Sequence, residues 1–98
     1  MEKRTPHCRL SLVSSLVAAG KVRATFSALS GAAALGLDFN EVLAIVQKLT
    51  PADFHKSMTT HADHCLWQDV YRPRTPAGEV YLKLMVTQDV LIVSFKEL

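Results

Sequence analysis

Two stretches near the end of the chain alternate apolar and polar side chains with the period of two that a β-strand imposes. In residues 79–86, Val80, Leu82, Leu84 and Val86 share one face and Glu79, Tyr81, Lys83 and Met85 the other. In residues 90–96, Leu91, Val93 and Phe95 share one face and Val90, Ile92, Ser94 and Lys96 the other. Partners across a strand pair point to the same side, so a common core face requires each even-numbered Leu of the first strand to oppose an odd-numbered residue of the second. A two-residue turn at Thr87 and Gln88 satisfies this but lacks the Gly or Asn that tight hairpins prefer, so a longer loop over 87–90 is favoured. In that register Tyr81 lies opposite Lys96 and Lys83 opposite Ser94. With the shorter turn, Tyr81 and Lys96 are still diagonal neighbours. A phenol and an ammonium thus meet on the face away from the core.

A preceding strand over residues 66–72 would add Gln68 and Arg72, four apart on one side, although Leu66 and Val70 share that side and leave its orientation open. Lys56 is a further candidate. A surface of Lys, Tyr, Gln and Arg without a carboxylate cluster suits a polyanion that is to be held and polarised. RNA cleavage by its own 2′-hydroxyl needs a group to take that proton, one to protonate the leaving 5′-oxygen, and cations around the phosphorus. Lys, Tyr and Arg supply these without a metal. The competing reading is an ordinary solvated sheet face.

The histidines suggest other chemistry. His61, His64 and Cys65 are three soft ligands within five residues, with His7 and Cys8 elsewhere, but the spacing matches no recurring zinc motif and no fourth ligand is identified. Loop histidines are the default. His55 or His61 has the right intrinsic pKa for a general base, and Cys65 lacks an identifiable base to activate it. Trp67 and Tyr71 could stack on bases, though such residues more often belong to a core; Met58 has the same two readings.

These side chains need a scaffold. The chain has 98 residues, 49% apolar and 20% charged, which fits one domain over 1–98 and excludes disorder, collagen-like repeats and coiled coil. A chain of this size buries only about 60–65% of its unfolded surface. The net charge of +2 does not announce a nucleic-acid binder, and two cysteines allow at most one disulfide, so a reduced, cytoplasmic setting is expected. The basic start and apolar Leu10–Ala19 superficially resemble a signal peptide, but Ser11, Ser14 and Ser15 interrupt it. Leu12, Val13, Leu16 and Val17 fall on one helical face instead. No stretch approaches the length of a membrane span.

Thr5 followed by Pro6 and ended by Gly20 predicts a first helix over 6–19, with a short strand over 21–25 after it. A second helix over 26–35 contains Gly31 and stops at Gly36. Asp38 with Glu41 three residues on, then Phe39, Val42, Leu43, Val46 and Leu49, predicts a third. Thr50 and Pro51 begin one further turn. From Lys56 the period becomes two. Strands are expected over 56–60, 66–72, 79–86 and 90–96, with Pro73, Pro76 and Gly78 turning the chain. The expected fold is α+β, with N-terminal helices packed on one side of a C-terminal antiparallel sheet.

Met1–His7 (MEKRTPH), Lys56–Thr60 (KSMTT), Trp67–Pro73 (WQDVYRP), Val80–Lys83 (VYLK) and Asp89–Glu97 (DVLIVSFKE) resemble, end to end, the motility quorum-sensing regulator (MqsR) toxin family. The resemblance implies a RelE-like fold and the toxin half of a type II toxin–antitoxin pair, a metal-independent mRNA interferase cutting at short GCU-type sequences. It puts the family's catalytic positions on Lys56, Gln68, Tyr81 and Lys96; Arg72 and Lys83 from the polar face, and Met58 beside them, are the expected RNA contacts. It implies no cofactor and no membrane. The partners it implies are mRNA and an MqsA-like antitoxin, with operator DNA reached only through that antitoxin, since no helix here looks like a DNA reader. The family pattern has Tyr where this chain has His55 and His61, and His where it has Gln88. From another class, a noncatalytic RNA-binding or antitoxin-binding module would keep the same fold without the cutting.

Overall fold

The computed structural model describes residues 1–98. Three nine-residue helices lie on one side of a seven-stranded, mostly antiparallel sheet. They are α1 (Leu10–Ala18), α2 (Phe26–Ala34) and α3 (Phe39–Gln47). The start of α3 is the one the sequence signals: Asp38 accepts from the Glu41 amide at 2.8 Å while Glu41 accepts from the Asp38 amide at 3.0 Å. That reciprocal box satisfies two amides that a helix leaves unpaired. Thr25 caps α2 by accepting from the Ala28 amide at 3.0 Å, and its hydroxyl donates to the Val93 carbonyl at 2.8 Å. One side chain thus starts the helix and anchors it to the sheet. Thr50 and Pro51 start the single 3₁₀ turn Pro51–Asp53.

Helix α1 is shorter than the 6–19 expected. Pro6 does not open it, because the next two amides are taken elsewhere: His7 and Cys8 donate to the two oxygens of the Asp69 carboxylate at 2.9 and 3.0 Å. Asp69 is buried and also accepts from Ser57 Oγ at 2.6 Å. A long-range carboxylate outcompetes the local helix-start signal. Along α1, Val13 and Val17 are buried and Leu16 half-buried, while Leu12 is exposed rather than on the packed face. No single helix is long and apolar enough to cross a membrane.

The strands are β1 (Glu2–Lys3), β2 (Val22–Ala24), β3 (Phe54–Thr59), β4 (Trp67–Tyr71), β5 (Arg74–Thr75), β6 (Gly78–Val86) and β7 (Val90–Glu97). Their order is β1-β3-β4-β6-β7-β2, with β5 paired to β6 alone. All pairings are antiparallel except β2 with β7, which is parallel. The sheet is therefore neither wholly antiparallel nor wholly C-terminal: the N-terminal half supplies both outer strands. The core joins Tyr71, Val80, Leu82, Leu84, Val90, Ile92 and Phe95 from the sheet to Val13, Val17, Ala28, Ala32, Val42 and Val46 from the helices.

The β6–β7 hairpin departs from simple alternation. Tyr81 pairs with Lys96, Leu82 with Phe95 and Lys83 with Ser94, as the longer-loop register predicts, but Leu84 pairs with Ile92 and Val86 with Val90. Val93 is the extra residue of a β-bulge, which inverts the facing of everything before it. Val90 and Ile92 are consequently core, and Leu91 and Val93 are only half-buried. The connecting loop has three residues, 87–89, one fewer than expected.

Candidate active site

The strand registers put one set of side chains on the face opposite the helices. Lys56 pairs with Val70, Val70 with Lys83 and Lys83 with Ser94, so these four form a row across β3, β4, β6 and β7. Tyr81 and Lys96 flank the row on one side, and the pair Met58 and Gln68 flank it on the other. Strands are spaced by about 4.8 Å, so Lys56 and Lys83 stand about 10 Å apart at their Cα atoms, within reach of one nucleotide backbone. Val70 is fully buried although it is on this face. Lysine stems lying over an apolar floor keep their charged ends in solvent.

Tyr81 sits between two cations. Lys96 Nζ is 5.2 Å and Lys83 Nζ 5.7 Å from the centre of its ring. Each ammonium is attracted by the electron-rich ring, by about 0.5–1 kcal/mol at an exposed site. The cross-strand pairing and the i, i+2 alternation of β6 produce this cluster without any loop residue. It is therefore held by sheet geometry.

Lys56 is engaged by a residue the sequence pattern does not single out. Glu2 Oε1 lies 2.7 Å from Lys56 Nζ, and this contact with the Lys56 ammonium holds the Glu2 carboxyl below its ordinary pKa. Glu2 reaches the site because β1 runs along the edge of β3, with Glu2 opposite Met58. A two-residue strand has no periodicity to detect, so nothing in the local sequence marks Glu2. The site face therefore carries one carboxylate among its cations.

His55 lies at the irregularity in β3, between Phe54 and Lys56. Burial, and then the cations Arg72, Lys56 and Arg4, push its imidazole below the ordinary value. The uncharged ring is therefore favoured beside these cations. Arg72 is one residue past β4 and exposed. It continues the β4–β6 register opposite Tyr81, between the Tyr71–Leu82 pair and the Val80 amide that donates to the Pro73 carbonyl, and its charge also reaches His55.

Other candidates separate from this face. Tyr71 is core, edge-on to Phe54 at 5.5 Å, and burial raises its phenol pKa strongly. Trp67 shares the parity of Asp69 and Tyr71, on the side away from Tyr81 and Lys83; His7 stacks on it at 5.6 Å and Lys3 Nζ stands 4.2 Å from its centre. Neither aromatic is open to a base on the site face. Cys8 and Cys65 are both free thiols, and burial raises the Cys8 thiol pKa. His61, His64 and Cys65 do not converge, and no group of three His, Cys, Asp or Glu side chains is placed to hold a metal ion.

The face thus offers ammonium groups, a phenol, an amide and a guanidinium at its margin, in the pattern a phosphodiester strand requires. Comparison with known proteins bears on which polyanion it meets. The family model described as "Motility quorum-sensing regulator, toxin of MqsA" matches residues 5–97. The mRNA interferase toxin MqsR of Escherichia coli (strain K12) is 62% identical over 97 residues, 99% of this chain and 99% of that protein. A match along nearly the whole length, over a range that spans the Lys56, Val70, Lys83, Ser94 row, places this chain in the MqsR toxin family.

Proposed function

We propose that this chain, an mRNA endoribonuclease toxin of the MqsR family, cuts mRNA at short GCU-type sequences without a metal, by attack of a 2′-hydroxyl on the adjoining phosphate. The new bond joins the 2′-oxygen to phosphorus and the bond to the 5′-oxygen breaks. The 2′-hydroxyl gives up its proton and the departing 5′-oxygen gains one, so one product ends in a cyclic phosphate, which water opens to a 3′-phosphate, and the other in a 5′-hydroxyl. Lys56 and Lys96 stabilise the charge that builds on the phosphate oxygens. Tyr81, between Lys83 and Lys96, moves a proton or positions the phosphate, and Gln68 hydrogen-bonds the RNA. Lys83, Met58 and Arg72 hold the strand on either side. An MqsA-like antitoxin neutralises the toxin and carries the pair to operator DNA.

The observation that supports this reading best is the pairing of Tyr81 with Lys96 on a face free of helices. It is tested by incubating the protein in chelator with a defined RNA containing GCU sites and mapping new 5′ ends, with Lys96→Ala as control. Metal-independent cuts at those sites, lost in the variant, are expected. Binding without any cutting by folded wild-type protein would replace the nuclease with a noncatalytic RNA-binding module.

A further inference from the structure

The β3–β4 connection, residues 60–66, is a built loop. Thr60 Oγ1 accepts from the Asp63 amide at 2.9 Å and donates to the Asp63 carbonyl at 2.8 Å; Asp63 Oδ1 accepts from the Cys65 amide at 2.8 Å. The Thr60 amide closes it by donating to the Leu66 carbonyl at 3.0 Å. Between this loop and the sheet runs an open cleft of about 680 Å³, bordered by Met58, Gln68 and Lys83 from the sheet, Glu2 from the edge strand, and His61 and His64 from the loop. Its size lies in the range of ligand clefts, about 300–1,000 Å³.

Its chemistry differs from that of the adjoining row of cations. Lys83 is the only cationic side chain on its lining, the Met1 ammonium donates to Thr59 Oγ1 at 2.9 Å, and Glu2 brings a carboxylate that Lys56 Nζ holds at 2.7 Å. A phosphate gains little beside a carboxylate. A flat group with polar edges gains more: the Met58 thioether and the two imidazoles offer surfaces to its faces, and the Gln68 amide and Glu2 carboxylate offer a donor and acceptors to its rim. Lys83 belongs to both the cation row and the cleft, so a strand whose backbone follows the cations has its neighbouring base at the cleft mouth.

We propose that this cleft is a nucleobase subsite, in which one unpaired base next to the scissile phosphate inserts between His61 and His64 on the loop and the Met58–Gln68 floor. The assignment rests on the nuclease reading for the position of the phosphate. His61 and His64 touch the base and take no part in bond making or breaking.

The test is binding of the full chain to a 12-nucleotide RNA with one GCU site and a 2′-deoxy sugar at the attacking position, which removes the nucleophile. A set of such RNAs has the base deleted, one position at a time, around the site. One deletion is expected to weaken wild-type binding about tenfold, the usual worth of a stacked base. The same deletion should cost much less in the double variant His61→Ala/His64→Ala, a non-additivity that direct contact requires. Full additivity at every position would overturn the subsite. Should the double variant not fold, each single substitution carries the same comparison. The all-ribose RNA separates the two readings: coupling without cutting keeps the subsite and removes the nuclease, cutting without coupling does the reverse, and no binding by folded wild type overturns both.

Discussion

Glu2 and Lys56 face each other across the β1–β3 edge, with the carboxylate 2.7 Å from the ammonium. The carboxylate sits where an anionic oxygen of the substrate would meet Lys56. It draws the ammonium to a partner on the edge strand, and an incoming phosphate must share or displace that partner.

This contact has a pH signature. Because the Lys56 ammonium lowers the Glu2 pKa in the folded state, the contribution of the pair is present above the ordinary glutamate value and is lost as the pH falls through the lowered one. An NMR titration should place the Glu2 carboxyl midpoint below that of an unpaired glutamate, and Lys56→Ala should return it upward. An unchanged midpoint in that variant would rule out Lys56 as the cause.

Lys56→Ala, Tyr81→Phe and Lys96→Ala should each slow single-turnover RNA cleavage by about 10²–10⁴-fold, the usual worth of a group acting on a proton or a developing charge. All three residues lie outside the hydrophobic core, so unfolding free energies should change by no more than about 1 kcal/mol. Near wild-type cleavage by all three folded variants would remove them from the site.

Asp69→Ala should destabilise the fold by about 3 kcal/mol in urea unfolding, since it orphans the His7 and Cys8 amides and the Ser57 hydroxyl together. A loss below about 1 kcal/mol would mean that the carboxylate does not anchor this segment.

Gly31→Ala tests the closest approach of helix to sheet. A Cβ there would stand 1.8 Å from the Phe95 carbonyl oxygen and 3.0 Å from its carbon. Both are backbone atoms of a central strand, so α2 itself must lift. Alanine's helix preference of about 1 kcal/mol is outweighed, and a net loss of about 2 kcal/mol or more is expected from thermal unfolding. Unchanged stability would show that α2 can shift freely on β7.

What the sequence reveals depends on whether the deciding interaction is local. The Asp38–Glu41 box is, and α3 starts where it says. The alternation of β6 is clean because Val80, Leu82 and Leu84 are core and Val86 packs against it. Pro6 misleads because Asp69, more than sixty positions away, claims the amides that follow it. In β7 the bulge at Val93 leaves no compositional mark, so Leu91 and Val93 read as core where Val90 and Ile92 are. The register of Tyr81 with Lys96 escapes that error because both lie beyond the bulge. Glu2 and the cleft under residues 60–66 were not legible: one comes from a strand too short to have a period, the other from a loop folding back on the sheet.

The parallel pairing of β2 with β7 also bears on how the chain reaches this state. Val22 meets Val90 across nearly seventy positions, and β7 lies between β2 and β6 with α2 seated on it. Closing so long a loop costs conformational entropy before any contact repays it. The early strand has no neighbour in the sheet but β7, whereas β7 is joined to β6 by a loop of three residues. Tyr81 and Lys96 thus meet within a local hairpin, while seating β2 beside β7 is the long-range pairing that contact-order arguments make slow.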